Sequence, residues 1–121
     1  MEDVNSQALI NDEFKRAEQA RARGNEGQAR VCARRAAGIA AREYFARRGQ
    51  AIHTPSAYDL LNLLIEDPSL SDDLRQTAAH LTLRVDEEFK LPAHMDLIVE
   101  AKKLCEELLI WYVHLQVKTP R

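Results

Sequence analysis

Cysteine is nearly absent: Cys32 and Cys105 are the only two in 121 residues. Two thiols make no disulfide scaffold, and neither has a second thiol or histidine nearby at zinc-ligand spacing. Both fall within helical patterns, so reduced, buried and unbonded thiols are expected, as in a cytosolic protein. Long apolar runs are missing too. None approaches the ~20 residues that span a bilayer, and the first ten residues, MEDVNSQALI, are acidic rather than signal-like. These absences exclude a membrane span and lead us to expect a cytoplasmic protein. Glycine and proline number four each, and aromatic residues make up 6%. The chain lacks a glycine-rich phosphate loop, a nucleophile elbow and a zinc-ligand cluster. So few aromatics also leave little stacking surface for single-stranded nucleic acid.

What remains is helical. Gly24, Gly27, Gly49, Pro55, Pro68, Pro92 and Pro120 fall between, or at the first turn of, periodic segments, and only Gly38 lies inside one. The spacing predicts a first helix from Ser6 to Arg23, with Ile10, Phe14 and Ala17 on one face. A second follows over Glu26–Arg48, with Asn25 as its cap and the Gln28 side chain placed to reach back. Gly49 ends it in a left-handed turn. Ser56 and Asp59 start a short third helix carrying Leu60, Leu61, Leu63, Leu64 and Ile65, which Asp67-Pro68 stops. Ser71, Asp72 and Asp73 begin a fourth, with Leu74, Ala78, Leu81 and Val85 as its stripe. The last runs from near Pro92 to Val117. Its seam is Leu97, Ala101, Leu104, Leu108, Trp111 and Leu115, widened by Ile98, Cys105 and Leu109. No alternation typical of a strand persists, and there is no internal repeat. The expected fold is all-α: one domain over 1–121, an up-and-down antiparallel bundle of four to five helices. A chain of this length buries about two thirds of its unfolded surface in a single core.

Net charge is −2, but the charges are segregated. Lys15 to Arg48 holds ten Lys/Arg against Glu18, Glu26 and Glu43, whereas Asp59 to Glu107 holds twelve Asp/Glu against five Lys/Arg. Such a split suits self-docking, a basic–acidic partnership, or an anion held at one end. The second helix interleaves small residues with arginines, so it reads as a central helix that is also basic. Arg30, Arg34, Arg35 and Arg42 are its candidates for an anion, nucleotide or RNA phosphate. On a helical wheel Arg30, Arg34 and Arg48 share one side, and Arg35 and Arg42 another. The competing reading pairs them with acids of the later helices. Asp86-Glu87-Glu88 and Glu106-Glu107 point to different faces and make no convergent cation site. His80, His94 and His114 lack ligand spacing, so neither metal nor cofactor is expected.

Several segments together resemble the HEPN family of small prokaryotic helical domains. They are ARARGN at 20–25, the alanine-rich helix, Gly49-x3-His53, SAYDLLNLL at 56–64 and EAKKLCEELL at 100–109. The resemblance spans Glu13 to Leu109. It implies a four-helix up-and-down core, homodimerisation, and association with minimal nucleotidyltransferases. Many members are metal-independent ribonucleases with an R-x4-6-H motif beside the last core helix. This chain departs there: nine residues separate Arg84 from His94, and His114 has no arginine at the right distance upstream. An R-x4-H spacing occurs instead at Arg48 and His53, between the second and third helices. Arg48 to hold a phosphate and His53 to move a proton would suit RNA cleavage. The favoured reading of the pair is structural, with Arg48 as a cation at a helix C-terminus and His53 capping or bracing the loop before Ser56. The expected function is a HEPN-like interaction or regulatory module, dimeric and nucleotide- or RNA-associated, beside a nucleotidyltransferase-type partner. The alternative is a toxin-type ribonuclease using Arg48 and His53. A homodimer is expected independently, because Ile110, Trp111, Val113 and Leu115 leave the last helix apolar around most of its circumference.

Overall fold

A computed structural model describes residues 3–83 and 95–118 of the chain, and the side chains of 6–83 and 95–109. Among them five helices form: α1 (Asp3–Ala22), α2 (Glu26–Arg47), α3 (Ala57–Ile65), α4 (Asp72–Leu81) and α5 (Leu97–Lys118). No strand occurs among the described residues, and the protein is an all-α bundle. No described helix is long and apolar enough to cross a membrane. Arg84, the acids at 86–88 and His94 lie outside the described residues, as do the side chains of Trp111 and His114.

Local chemistry sets the helix ends. Gly24 and Gly49 have φ of +80° and +82°, which residues with a Cβ adopt only at a cost. At the first, the Gly24 N–H donates to the Arg21 carbonyl and the Asn25 N–H to Ala20. At the second, Gly49 donates to Ala46 and Gln50 to Phe45. Each pair is a Schellman motif that satisfies carbonyls the helix leaves open. Asn25, Ser56 and Ser71 then cap α2, α3 and α4, accepting from the N–H groups of Gln28, Asp59 and Leu74. The reciprocal half of the expected box at Asn25 does not form. Its N–H is already taken by Ala20, so the Gln28 amide turns instead to Cys32 Sγ at 3.6 Å.

The alanine-rich stretch makes α2 the centre. Ala29, Ala33, Ala36, Ala37, Ala40 and Ala41 are fully buried, and α1, α3 and α5 all pack on this helix. Small side chains permit the approach. A Cβ at Gly38 would stand 2.9 Å from the Ala57 Cβ, closer than the atoms tolerate. Around α2 lie Ile10, Phe14 and Ala17 of α1, Leu60, Leu61 and Leu64 of α3, and Leu97, Ala101, Leu104 and Leu108 of α5. The expected α3 face is narrower than predicted, since Leu63 is 36% exposed.

Cross-links give the helix directions. Ser6 donates to Glu43 and Arg21 pairs with Glu26, so α1 and α2 run antiparallel. Lys102–Glu18 and Arg21–Asp96 set α5 antiparallel to α1, and Lys103–Asp73 with His80–Glu100 set α4 antiparallel to α5. The connector 48–56 doubles back, with Thr54 reaching Arg42, so α3 starts beside Gly38 and runs in the direction of α2. That return creates the cleft described next.

Candidate functional site

Where α3 enters beside the middle of α2, the surface opens into a cleft of about 500 Å³. Arg34, Arg35 and Arg42 line it together with Glu13 from α1, Pro55 from the connector, and Ala57 and Tyr58 from α3. Val31, Ile39 and Leu60 add apolar surface. The stripe Val31, Arg35, Gly38 and Arg42 follows the four-three-four spacing of one helix face, as the sequence pairing of Arg35 with Arg42 predicted. Arg34, placed by the wheel on another side, joins them because its side chain extends toward α4. Arg30 and Arg48 do not line this cleft.

The three arginines have different commitments. Arg34 is 8% exposed. Its Nε donates to the Leu81 carbonyl at 2.7 Å and Nη2 to Leu83 at 3.3 Å, closing the C-terminal end of α4. Its guanidinium also lies 4.9 Å from the centre of the Tyr58 ring. This charge at a helix C-terminus is favourable and structural. Arg42 is half-buried and donates through Nη2 to the Thr54 carbonyl at 2.7 Å, which leaves other N–H groups on its fork. Arg35 is exposed and makes no hydrogen bond or ion pair among the described residues. Arg30, Arg35, Arg42 and Arg48 form no ion pair within 4 Å among those residues, although Arg30 acts electrostatically on Glu26 and Arg48 on Asp67. The acidic later helices pair elsewhere: Asp73 with Lys103, Glu100 with His80 and Asp96 with Arg21.

Glu13 is the acid of the cleft. Its Oε2 stands 3.9 Å from Arg16 Nη1, with the side chain 14% exposed. Its Oε1 is buried and meets no donor among the described residues. A carboxylate oxygen left unbonded away from water costs about 1–3 kcal/mol.

Arg48 and His53 sit apart from this arrangement. Arg48 donates through Nη1 to the Tyr44 hydroxyl, and its guanidinium lies 5.0 Å from that ring's centre. The Tyr44 hydroxyl donates in turn to Asp67 Oδ2 at 2.9 Å, and Asp67 Oδ1 accepts from the Ser69 N–H and hydroxyl. This chain ties the end of α2 to the α3–α4 turn. Burial pushes the Tyr44 hydroxyl above its usual pKa. Asp67 sits below the usual carboxylate range: burial opposes that shift, but hydrogen bonds from Ser69 and Tyr44 outweigh it. His53 is exposed and takes no part in the network. A second cleft of about 480 Å³ separates α1 from α5, lined by Ile10, Phe14, Lys102, Cys105, Glu106 and Leu109. Neither cleft includes Arg48 or His53.

Cys32 and Cys105 are free and buried. Among the described residues no group of three or more His, Cys, Asp or Glu is placed to hold a metal ion. Sequence reasoning missed Glu13 and Tyr58. Tyr58 stood inside the quoted SAYDLLNLL segment, but no local signal tied Glu13, one helix earlier, to the arginines.

Compared with protein-family models, curated proteins and solved structures, the chain matches none. The resemblance to HEPN domains therefore rests on the sequence segments quoted above.

Proposed function

We propose that this protein is a HEPN-like helical module that holds a phosphate-bearing ligand, a nucleotide or an RNA end, in the cleft between α1, α2 and α3. The observation that carries this reading is the gathering of Arg34, Arg35 and Arg42 on one cleft with apolar lining, where neither Arg35 nor Arg42 forms an ion pair among the described residues. A guanidinium fork matches phosphate oxygens in pairs, and Tyr58 with Ile39 and Pro55 offers flat apolar surface for the rest of the ligand. The volume falls within the ~300–1,000 Å³ range of small-molecule sites. The module would work as a homodimer beside a nucleotidyltransferase-type partner, the support being the HEPN resemblance and the apolar run on the last turns of α5. The ribonuclease alternative gains nothing from the geometry, because Arg48 and His53 line neither cleft and His53 takes no part in the network that holds Arg48 to Tyr44 and Asp67.

Calorimetry with pyrophosphate and ATP at low ionic strength tests the proposal. The native protein should bind both, with affinity falling as salt rises. The double variant Arg35→Glu, Arg42→Glu should lose binding while keeping its helical circular dichroism. Failure of the native protein to bind either compound would end this reading.

A further inference from the structure

Arginines alone would make a site for any phosphate; the acid in the same cleft narrows the choice. Glu13 comes from α1 and lines the same cleft as the α2 stripe that bears Arg35 and Arg42. Its carboxylate is mostly buried, one oxygen has no donor among the described residues, and the nearest cation to the other is 3.9 Å away. An acid placed in a phosphate-binding cleft repels a bare polyanion. It is compensated when the same ligand brings N–H groups to it. The cleft thus joins the cationic Arg35 and Arg42 with the acceptor-only Glu13, and Tyr58, Ile39 and Leu60 add apolar surface to the same lining.

We infer that the cleft takes a guanine nucleotide, with its phosphate at Arg35 and Arg42 and the N1–H and N2–H edge of its base on the Glu13 carboxylate. This rests on the phosphate-binding reading above and makes it specific. Chemistry separates the bases. Guanine presents two adjacent N–H donors on one edge, the complement of a carboxylate's two oxygens. Adenine offers one amino group beside the N1 acceptor, and that lone pair faces the carboxylate unfavourably. Uracil flanks its single N–H with two acceptors. Hypoxanthine keeps N1–H and lacks the 2-amino group, so it isolates one of the two bonds. Hydrogen bonds to an ionised group are worth enough to make the guanine preference about tenfold or more. A small induced shift of the Glu13 side chain would bring its sealed oxygen to the ligand, as side-chain rearrangement on binding commonly does.

The test compares GMP, IMP, AMP and inorganic pyrophosphate by calorimetry on the native protein, then on Glu13→Gln. GMP should bind about tenfold or more tighter than AMP, with IMP between them. Glu13→Gln should bring GMP and AMP close together while pyrophosphate binds as well as before, or better. Equal affinity for GMP and AMP on the native protein, with pyrophosphate still bound, overturns the guanine assignment and leaves the phosphate site standing. Loss of every interaction, pyrophosphate included, overturns both. The native comparison decides the matter even if Glu13→Gln does not fold. A GMP preference that survives in a folded Glu13→Gln protein removes Glu13 from recognition and overturns the inference.

Discussion

At the scale of single residues, similar side chains turn out to do different work. Arg34 and Arg35 are neighbours, yet one closes the end of α4 and the other faces solvent. Replacing Arg34 by Met should cost about 2 kcal/mol, since the Leu81 and Leu83 carbonyls lose a charged donor. The same change at Arg35 should stay within about 0.5 kcal/mol. Paired urea denaturation curves measure both. Gly38 poses a sharper contest. Alanine there gains about 1 kcal/mol in helix propensity, but its Cβ would meet the Ala57 Cβ at 2.9 Å and its Cα at 3.1 Å. Because one of those atoms is backbone, overpacking at about 1–3 kcal/mol wins, and Gly38→Ala should lower Tm by several degrees. Burial pushes the Cys105 thiol up to about 12. With its folded pKa raised above the ordinary value, its contribution is complete below pH ~9 and fades as pH climbs toward 12. Iodoacetamide at pH 8 should therefore leave Cys105 unmodified in the folded protein and label it in urea.

At the scale of elements, helix boundaries were legible because their causes are local. Gly24 and Gly49 each adopt the positive φ that their place after a periodic segment predicts, and Asn25, Ser56 and Ser71 accept from the residue three further on. What the arginines do was not legible, because it depends on partners far along the chain. The Arg34–Leu81 bond spans 47 residues, and Thr54 reaches Arg42 only after the connector has turned back. The helix wheel could group Arg35 with Arg42, but it could not place Glu13 in the same cleft. The start of α5 gives another element-scale test. Asp96 Oδ1 accepts from the Ile98 and Val99 N–H groups, and Oδ2 accepts from Arg21 at 2.9 Å. Arg21 first, and these backbone donors after it, hold Asp96 below the usual carboxylate range. A depressed carboxylate stabilises the fold above its unfolded pKa of ~4 and loses that effect as pH falls through the lower folded value. Asp96→Ala should cost about 1 kcal/mol at pH 6 and narrow the stability difference between pH 6 and pH 3. An unchanged difference would take Asp96 out of the acid transition.

At the scale of the molecule, segregated charge offered the acids of the later helices as partners for the basic half. The structure uses it sparingly. Arg21–Asp96 joins them in that sense, whereas Lys102–Glu18 draws its acid from the basic half. Both pairs are exposed enough that each is worth about 1 kcal/mol or less. Cohesion comes from the alanine face of α2 and the apolar faces it meets. The surplus of positive charge is left on α2, where Arg35 and Arg42 line the cleft that the returning connector opens. Self-association is a separate matter at this scale. The proposed homodimer should give twice the chain mass in sedimentation at micromolar concentration, and Trp111→Glu should convert it to the monomer. A monomer mass unaffected by that change would remove the dimer without touching the cleft. The cleft itself is tested most directly by an NMR titration with GMP that follows arginine Nε–H and backbone amide signals together. Saturable shifts at Arg35, Arg42, Ile39 and Tyr58, with Arg48 and His53 unmoved, are what the account predicts; shifts centred on Arg48 and His53, or none that saturate, would contradict it.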